Sequence, residues 1–93
     1  MIFNPLEMIK KLASQGMQSQ LDQTQEECAE LIQAISKFRR KKTIERKHDL
    51  LEEIADVSIM VMQLYEIFGK DEIEKRIKEK LARSKGRLEN GNL

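Results

Sequence analysis

Apolar residues recur at helical spacing in four stretches, separated by short polar or glycine-bearing breaks. The first opens at Asn4-Pro5-Leu6-Glu7, where Asn4 can cap and Pro5 suits a first helical turn. It stops near Gly16. The second runs from about residue 17 to about 41 and carries Leu21, Cys28, Leu31, Ile32, Ile35 and Phe38 on its apolar side. The cations of Arg39-Arg40-Lys41-Lys42 suit a helix C-terminus, and Thr43 can cap the next helix. The third runs from about 44 to 68 and ends at Gly69. The fourth is predicted to open at Asp71-Glu72-Ile73-Glu74, with Asp71 as cap and Glu74 at the reciprocal capping-box position. Ile73, Ile77, Leu81 and Leu88 give it a narrow stripe, and the final Asn90-Gly91-Asn92-Leu93 reads as a frayed end. No stretch alternates as a strand would. The expectation is an all-α, four-helix chain forming one domain over residues 1–93.

The third helix differs from the others. Leu50, Ile54, Ala55, Val57, Ile59, Met60, Val61, Leu64 and Ile67 point almost all the way round it. A helix that is apolar on all sides must be buried on all sides, and three short neighbours from one chain can hardly enclose it. The pattern therefore predicts an oligomeric helical bundle: a homo-oligomer, most simply a dimer with this helix near the symmetry axis.

Composition narrows the classes further. Among 93 residues, 40% are hydrophobic and 35% charged, with one Pro and no Trp, as expected of a helical protein. The net charge of +1 supplies no bulk electrostatic reason to expect nucleic-acid binding. The single Cys28 rules out an internal disulfide and fits a reducing compartment. The start of the chain lacks the pattern of a signal peptide. The most apolar run, 54–68, is broken by Asp56, Gln63 and Glu66 and is too short to span a membrane. The expected location is the cytoplasm.

Within this apolar frame, two acidic pairs stand out. Glu27 and Glu30 lie on the second helix, Glu53 and Asp56 on the third. Members three residues apart share a helix face. With Leu31 as zero, Glu27 falls at about −40° and Glu30 at about −100°, whereas Glu26 falls near −140° on the polar side. On the third helix Glu53 lies at about −100° from Ile54, among apolar directions. Either pair alone is ordinary on an amphipathic helix. Side by side they would bring four carboxylates together, and like charges at close range are costly unless neutralised. A divalent cation resolves the conflict, and all-oxygen ligands favour Mg²⁺ first and Mn²⁺ second. The only His, His48, does not stand three residues after a Glu, which disfavours the di-iron sites of helical bundles. Zinc is disfavoured for lack of a Cys/His cluster.

The run Glu26-Glu27-Cys28-Ala29-Glu30 matches EExxE, and Glu53-Ile54-Ala55-Asp56 matches ExxD. In order, spacing and context this resembles the MazG-type all-α nucleoside triphosphate pyrophosphohydrolases over residues 17 to about 85. The resemblance implies Mg²⁺-dependent hydrolysis between the α- and β-phosphates of a nucleoside triphosphate, giving the monophosphate and pyrophosphate. It implies a dimer or dimer of dimers. By motif position, Glu27, Glu30, Glu53 and Asp56 would ligate the metal, while Glu26 would be outer or help orient the attacking water. Glu26 and Glu27 are thus the candidate catalytic residues. No protein nucleophile is required, and Cys28 faces the apolar stripe.

On the fourth helix Arg76, Lys80, Arg83 and Arg87 form a basic row beside the apolar stripe. Basic residues of this helix lie near the triphosphate in the family, and Lys80 and Arg83 match best, with Arg76 beside them. The cluster Lys37-Phe38-Arg39-Arg40-Lys41-Lys42 is an alternative phosphate contact. Base recognition is nearly silent: Phe3, Phe38, Tyr65 and Phe68 are the aromatics, and they read mostly as core. Two other readings compete. One is phosphoribosyl-ATP pyrophosphohydrolase, although Val57-Ser58-Ile59-Met60 does not fit the Leu-Leu-Tyr-His type expected after Asp56. The other is a non-catalytic helical interaction protein, adaptor or antitoxin-like, with no metal dependence.

Overall fold

A computed structural model describes residues 4–91, so Phe3 and the terminal Asn92-Leu93 lie outside the described residues. Four helices follow in order: α1 Pro5–Ala13, α2 Met17–Arg40, α3 Ile44–Phe68 and α4 Lys70–Glu89. No strand occurs among the described residues. The local chemistry sets most of the boundaries. The Glu7 amide donates to Asn4 Oδ1 at 3.2 Å, and Pro5 stands in the first turn of α1. The Arg46 amide donates to Thr43 Oγ1 at 3.2 Å and caps α3.

The start of α4 departs from expectation. The helix begins at Lys70, and Asp71 falls inside its first turn without capping it. Gly69, at φ 106°, serves both as the C-cap of α3 and the N-cap of α4. Only glycine adopts that backbone without strain, so two helices can meet at one residue. Asp71 and Glu72 still favour the positive end of the helix. Glu74, expected at a capping box, instead lies 4.0 Å from Lys70 Nζ.

α2 and α3 form an antiparallel hairpin and make the most extensive contact in the molecule. Arg46 Nη1 donates to the Lys37 carbonyl at 2.7 Å across the turn. α1 packs on α3, and α4 meets α3 only lightly. The interior is accordingly thin. Among the described residues, Ala34 and Met60 are the buried apolar ones, beside the polar Gln20 and Gln63. Leu51, Ile54, Ile59, Val61 and Met62 of α3 remain exposed, as do Ile32 and Ile35 of α2. The radius of gyration is 16.6 Å, against about 12 Å for a compact domain of this length. No helix among the described residues is long and apolar enough to cross a membrane.

Candidate metal centre

The α2–α3 seam is polar where an ordinary helical hairpin would be apolar. On α2, Gln20, Gln23, Glu27, Glu30, Ala34 and Lys37 recur three and four residues apart, forming one stripe. On α3, Arg46, Asp49, Glu53, Asp56, Met60 and Gln63 recur with the same spacing. The helices run antiparallel, so the stripes meet end to end in three zones. Amides lie at one end, carboxylates in the middle and cations at the other end.

In the middle zone, Glu27, Glu30 and Glu53 each offer a carboxylate oxygen, all within 4.8 Å of one another. Gln23 Nε2 donates to Glu27 Oε1 at 3.0 Å and holds that carboxylate in place. The other Glu27 oxygen, Oε2, is buried and has no hydrogen-bond partner, and the same is true of Glu53 Oε2. Burial pushes the Glu27 carboxyl above its ordinary value; Gln23 opposes this in part, and the charges of Glu30 and Asp56 push the same way as burial. Glu53 is also raised, by burial first and then by the charges of Glu30, Asp56 and Glu27. Asp56 therefore acts on both residues but stands outside the three-oxygen group. It lines the adjoining cavity together with Glu27. Glu26 is exposed and borders a different hollow, with Asp22 and Gln25.

This arrangement fits a hard divalent cation. Two orphaned, buried carboxylate oxygens need a positive partner, and the donor set is wholly oxygen. An octahedral Mg²⁺ site spans about 4.2 Å between opposite oxygens. The three oxygens, all within 4.8 Å of one another, lie close enough together to share one such ion. His48 is exposed and neighbours Asp49 and Glu52 at 4.0 and 3.8 Å, apart from this group.

Cavities flank the carboxylates on either side along the seam. One, of about 380 Å³, is lined by Glu30 and Glu53 and closed by the cations Lys37 and Arg46. The other, of about 370 Å³, joins Glu27 and Asp56 to Gln20, Met60 and Gln63. No α4 residue lines either cavity. Arg76 is exposed and paired with Glu72 at 3.0 Å, and Lys80 and Arg83 are exposed farther along α4. The chain by itself does not bring these three cations to the carboxylates. Sequence reasoning missed Arg46 as a lining cation, and Gln20, Gln23 and Gln63 as lining amides. The signal was present: Gln63 stands seven residues after Asp56, and Arg46 seven before Glu53, both on the same face of α3. Cys28 is half-buried and free.

The family model for the MazG nucleotide pyrophosphohydrolase domain matches residues 15–88. No curated protein and no solved structure matches the chain.

Proposed function

The chain belongs to the MazG nucleotide pyrophosphohydrolase family, and from that premise we propose that it is a Mg²⁺-dependent nucleoside triphosphate pyrophosphohydrolase. It would cleave between the α- and β-phosphates and release a nucleoside monophosphate and pyrophosphate. The observation that carries this reading is the meeting of Glu27, Glu30 and Glu53, two of them with buried, unpartnered oxygens. Glu27, Glu30, Glu53 and Asp56 would hold Mg²⁺, with Mn²⁺ as a substitute. Once bound, the ion supplies charge neutralisation at the phosphates and a lowered pKa for bound water.

The chain's own side chains do the positioning. Gln23 fixes Glu27 through its 3.0 Å hydrogen bond. Glu26, which belongs to the same motif but borders a separate hollow in the single chain, would take an outer role toward the attacking water. Lys37 and Arg46, at the far end of the cavity that Glu53 lines, receive the negative charge of the β- and γ-phosphates. Arg76, Lys80 and Arg83 form a second cationic row that reaches a site only in an assembly. A homo-oligomer, dimer or dimer of dimers, is part of the proposal, because so much of α3 remains exposed in one chain.

A screen of nucleoside triphosphates with Mg²⁺, following pyrophosphate release, tests the reaction. At least one triphosphate should yield stoichiometric monophosphate and pyrophosphate, with turnover lost in EDTA. Release of orthophosphate alone, or no metal-dependent turnover with any triphosphate, overturns it.

A further inference from the structure

Gln63 is the most deeply buried polar residue described, at 2% exposure. Its Oε1 is buried without a hydrogen-bond partner. Its Nε2 donates to Met60 Sδ at 3.5 Å. A thioether sulfur can only accept, so Met60 orients the amide and leaves its carbonyl as the free acceptor. A buried acceptor left unmatched is destabilising, and such a group calls for a donor from outside the chain. Gln63 lines the cavity of about 370 Å³ between α1, α2 and α3, whose apolar walls are Leu12, Ile59 and Met60. Glu27 and Asp56 line the same cavity. The volume lies in the range of small-molecule sites, and a few polar groups on apolar walls are their usual make-up.

The order along the seam sets the direction of a ligand. Cations stand beyond the carboxylates on one side, and Gln63 stands seven residues, about 10 Å, beyond Asp56 on the other. A nucleotide with its phosphates at the carboxylates therefore points the base toward Gln63, with the ring edge farthest from the sugar leading. Cytosine N4 and adenine N6 are amino groups on that edge. Uracil, thymine, guanine and hypoxanthine present a keto oxygen there, which would face Oε1 lone pair to lone pair. Resting on the reading of the protein as a nucleotide pyrophosphohydrolase, we infer that this cavity holds the nucleobase and that Gln63 accepts a hydrogen bond from its distal amino group. Gln63 thereby selects 4-aminopyrimidine and 6-aminopurine nucleotides over their keto counterparts. Gln20, buried at 6% exposure in the same cavity, adds a second amide to the site.

The test is calorimetric titration of the wild-type protein, with Mg²⁺, against α,β-methylene triphosphates of cytidine, uridine, adenosine and inosine, which cannot be cleaved at that bond. Cytidine should bind tighter than uridine, and adenosine tighter than inosine, by roughly ten- to a hundredfold. Gln63→Met, which nearly conserves volume, should shrink both ratios to within about twofold. It should raise KM for the cleavable amino substrates while kcat changes little, and its melting temperature should equal or exceed wild type because an unmatched acceptor is gone. If that variant does not fold, the wild-type ratios alone decide. Equal or tighter binding of the keto analogues overturns the role of Gln63 even if triphosphates are cleaved. Amino-selective binding without any cleavage overturns the proposed reaction and keeps the pocket. Failure of every analogue to bind overturns both.

Discussion

At Glu53 stability and activity pull in opposite directions. Its buried oxygen has no partner, and three neighbouring carboxylates raise its pKa after burial has done so. If Glu53 holds the proposed cation, Glu53→Gln should remove almost all turnover, because the ion would lose a ligand. It should leave the metal-free protein equally or more stable, because repulsion is relieved at nearly constant volume. Mg²⁺ should raise the melting temperature of the wild type and raise that of the variant much less. Equal Mg²⁺ responses in thermal melts, or retained pyrophosphate release, would remove Glu53 from the metal site. The same shifts set a pH dependence. Glu27 and Glu53 have folded pKa values above the ordinary 4.5, so the folded state binds their protons more tightly than the unfolded state does. Their favourable contribution is complete below the ordinary value and is lost as pH rises through the raised ones. In EDTA, melts should therefore gain temperature on acidification from neutral pH toward that window, and Glu53→Gln should show a shallower gain. In excess Mg²⁺ the trend should reverse, because protons then compete with the ion. A metal-free melting temperature that falls steadily on the same acidification would contradict the raised pKa values.

Among the elements, α2 and α3 carry the site and their ends are set locally. Replacing Thr43 by Ala removes the acceptor of the 3.2 Å bond from the Arg46 amide. This should destabilise the protein by about 1 kcal/mol in urea unfolding, and no loss at all would deny the cap its role. Such caps are why three of the four helices were legible in the sequence: Asn4, Thr43 and the positive-φ Gly16 and Gly69 mark their limits. The start of α4 was not, because Asp71-Glu72-Ile73-Glu74 has capping-box spacing while Gly69 already turns the chain one residue before the helix. The carboxylates were legible for a different reason. Either acidic pair alone is ordinary, but two of them among apolar positions on neighbouring helices are not, so Glu27, Glu30, Glu53 and Asp56 stood out, and the first three are the ones whose oxygens meet. Gln63 did not, since an uncharged amide in an apolar run reads as an interruption. Its seven-residue spacing from Asp56 places it on the same stripe, and the packing against α2 shows that this stripe lines the cavity. Arg46 was hidden as one cation among many near a helix turn, and its side chain is placed by the fold of the hairpin, through the Lys37 carbonyl.

The whole chain exposes 7738 Å², whereas a compact monomer of 10.9 kDa exposes about 5,600 Å². The excess of roughly 2,000 Å² per chain is the size of an extensive permanent interface. Sedimentation should accordingly show no folded monomer at micromolar concentration, and the melting temperature should rise with protein concentration. α4 would give the proposed assembly a functional consequence. It meets the rest of the chain only lightly, no residue of it lines a cavity beside the carboxylates, and yet it bears Arg76, Lys80 and Arg83. If those cations serve the site of a neighbouring chain, two inactive variants should complement. One variant is Glu53→Gln, with intact α4; the other combines Lys80→Ala and Arg83→Ala, with intact carboxylates. In a mixed dimer one site takes its carboxylates from the second chain and its cations from the first, and is whole. The other site carries both defects. Random mixing at equal amounts makes half the dimers mixed, so about a quarter of wild-type activity should return. The mixture must be unfolded and refolded together, so that chains exchange, and pyrophosphate release is compared with the unmixed variants. No recovery after confirmed exchange would place the α4 cations at the site of their own chain or remove them from catalysis. Recovery near a quarter would show that each site is built from two chains.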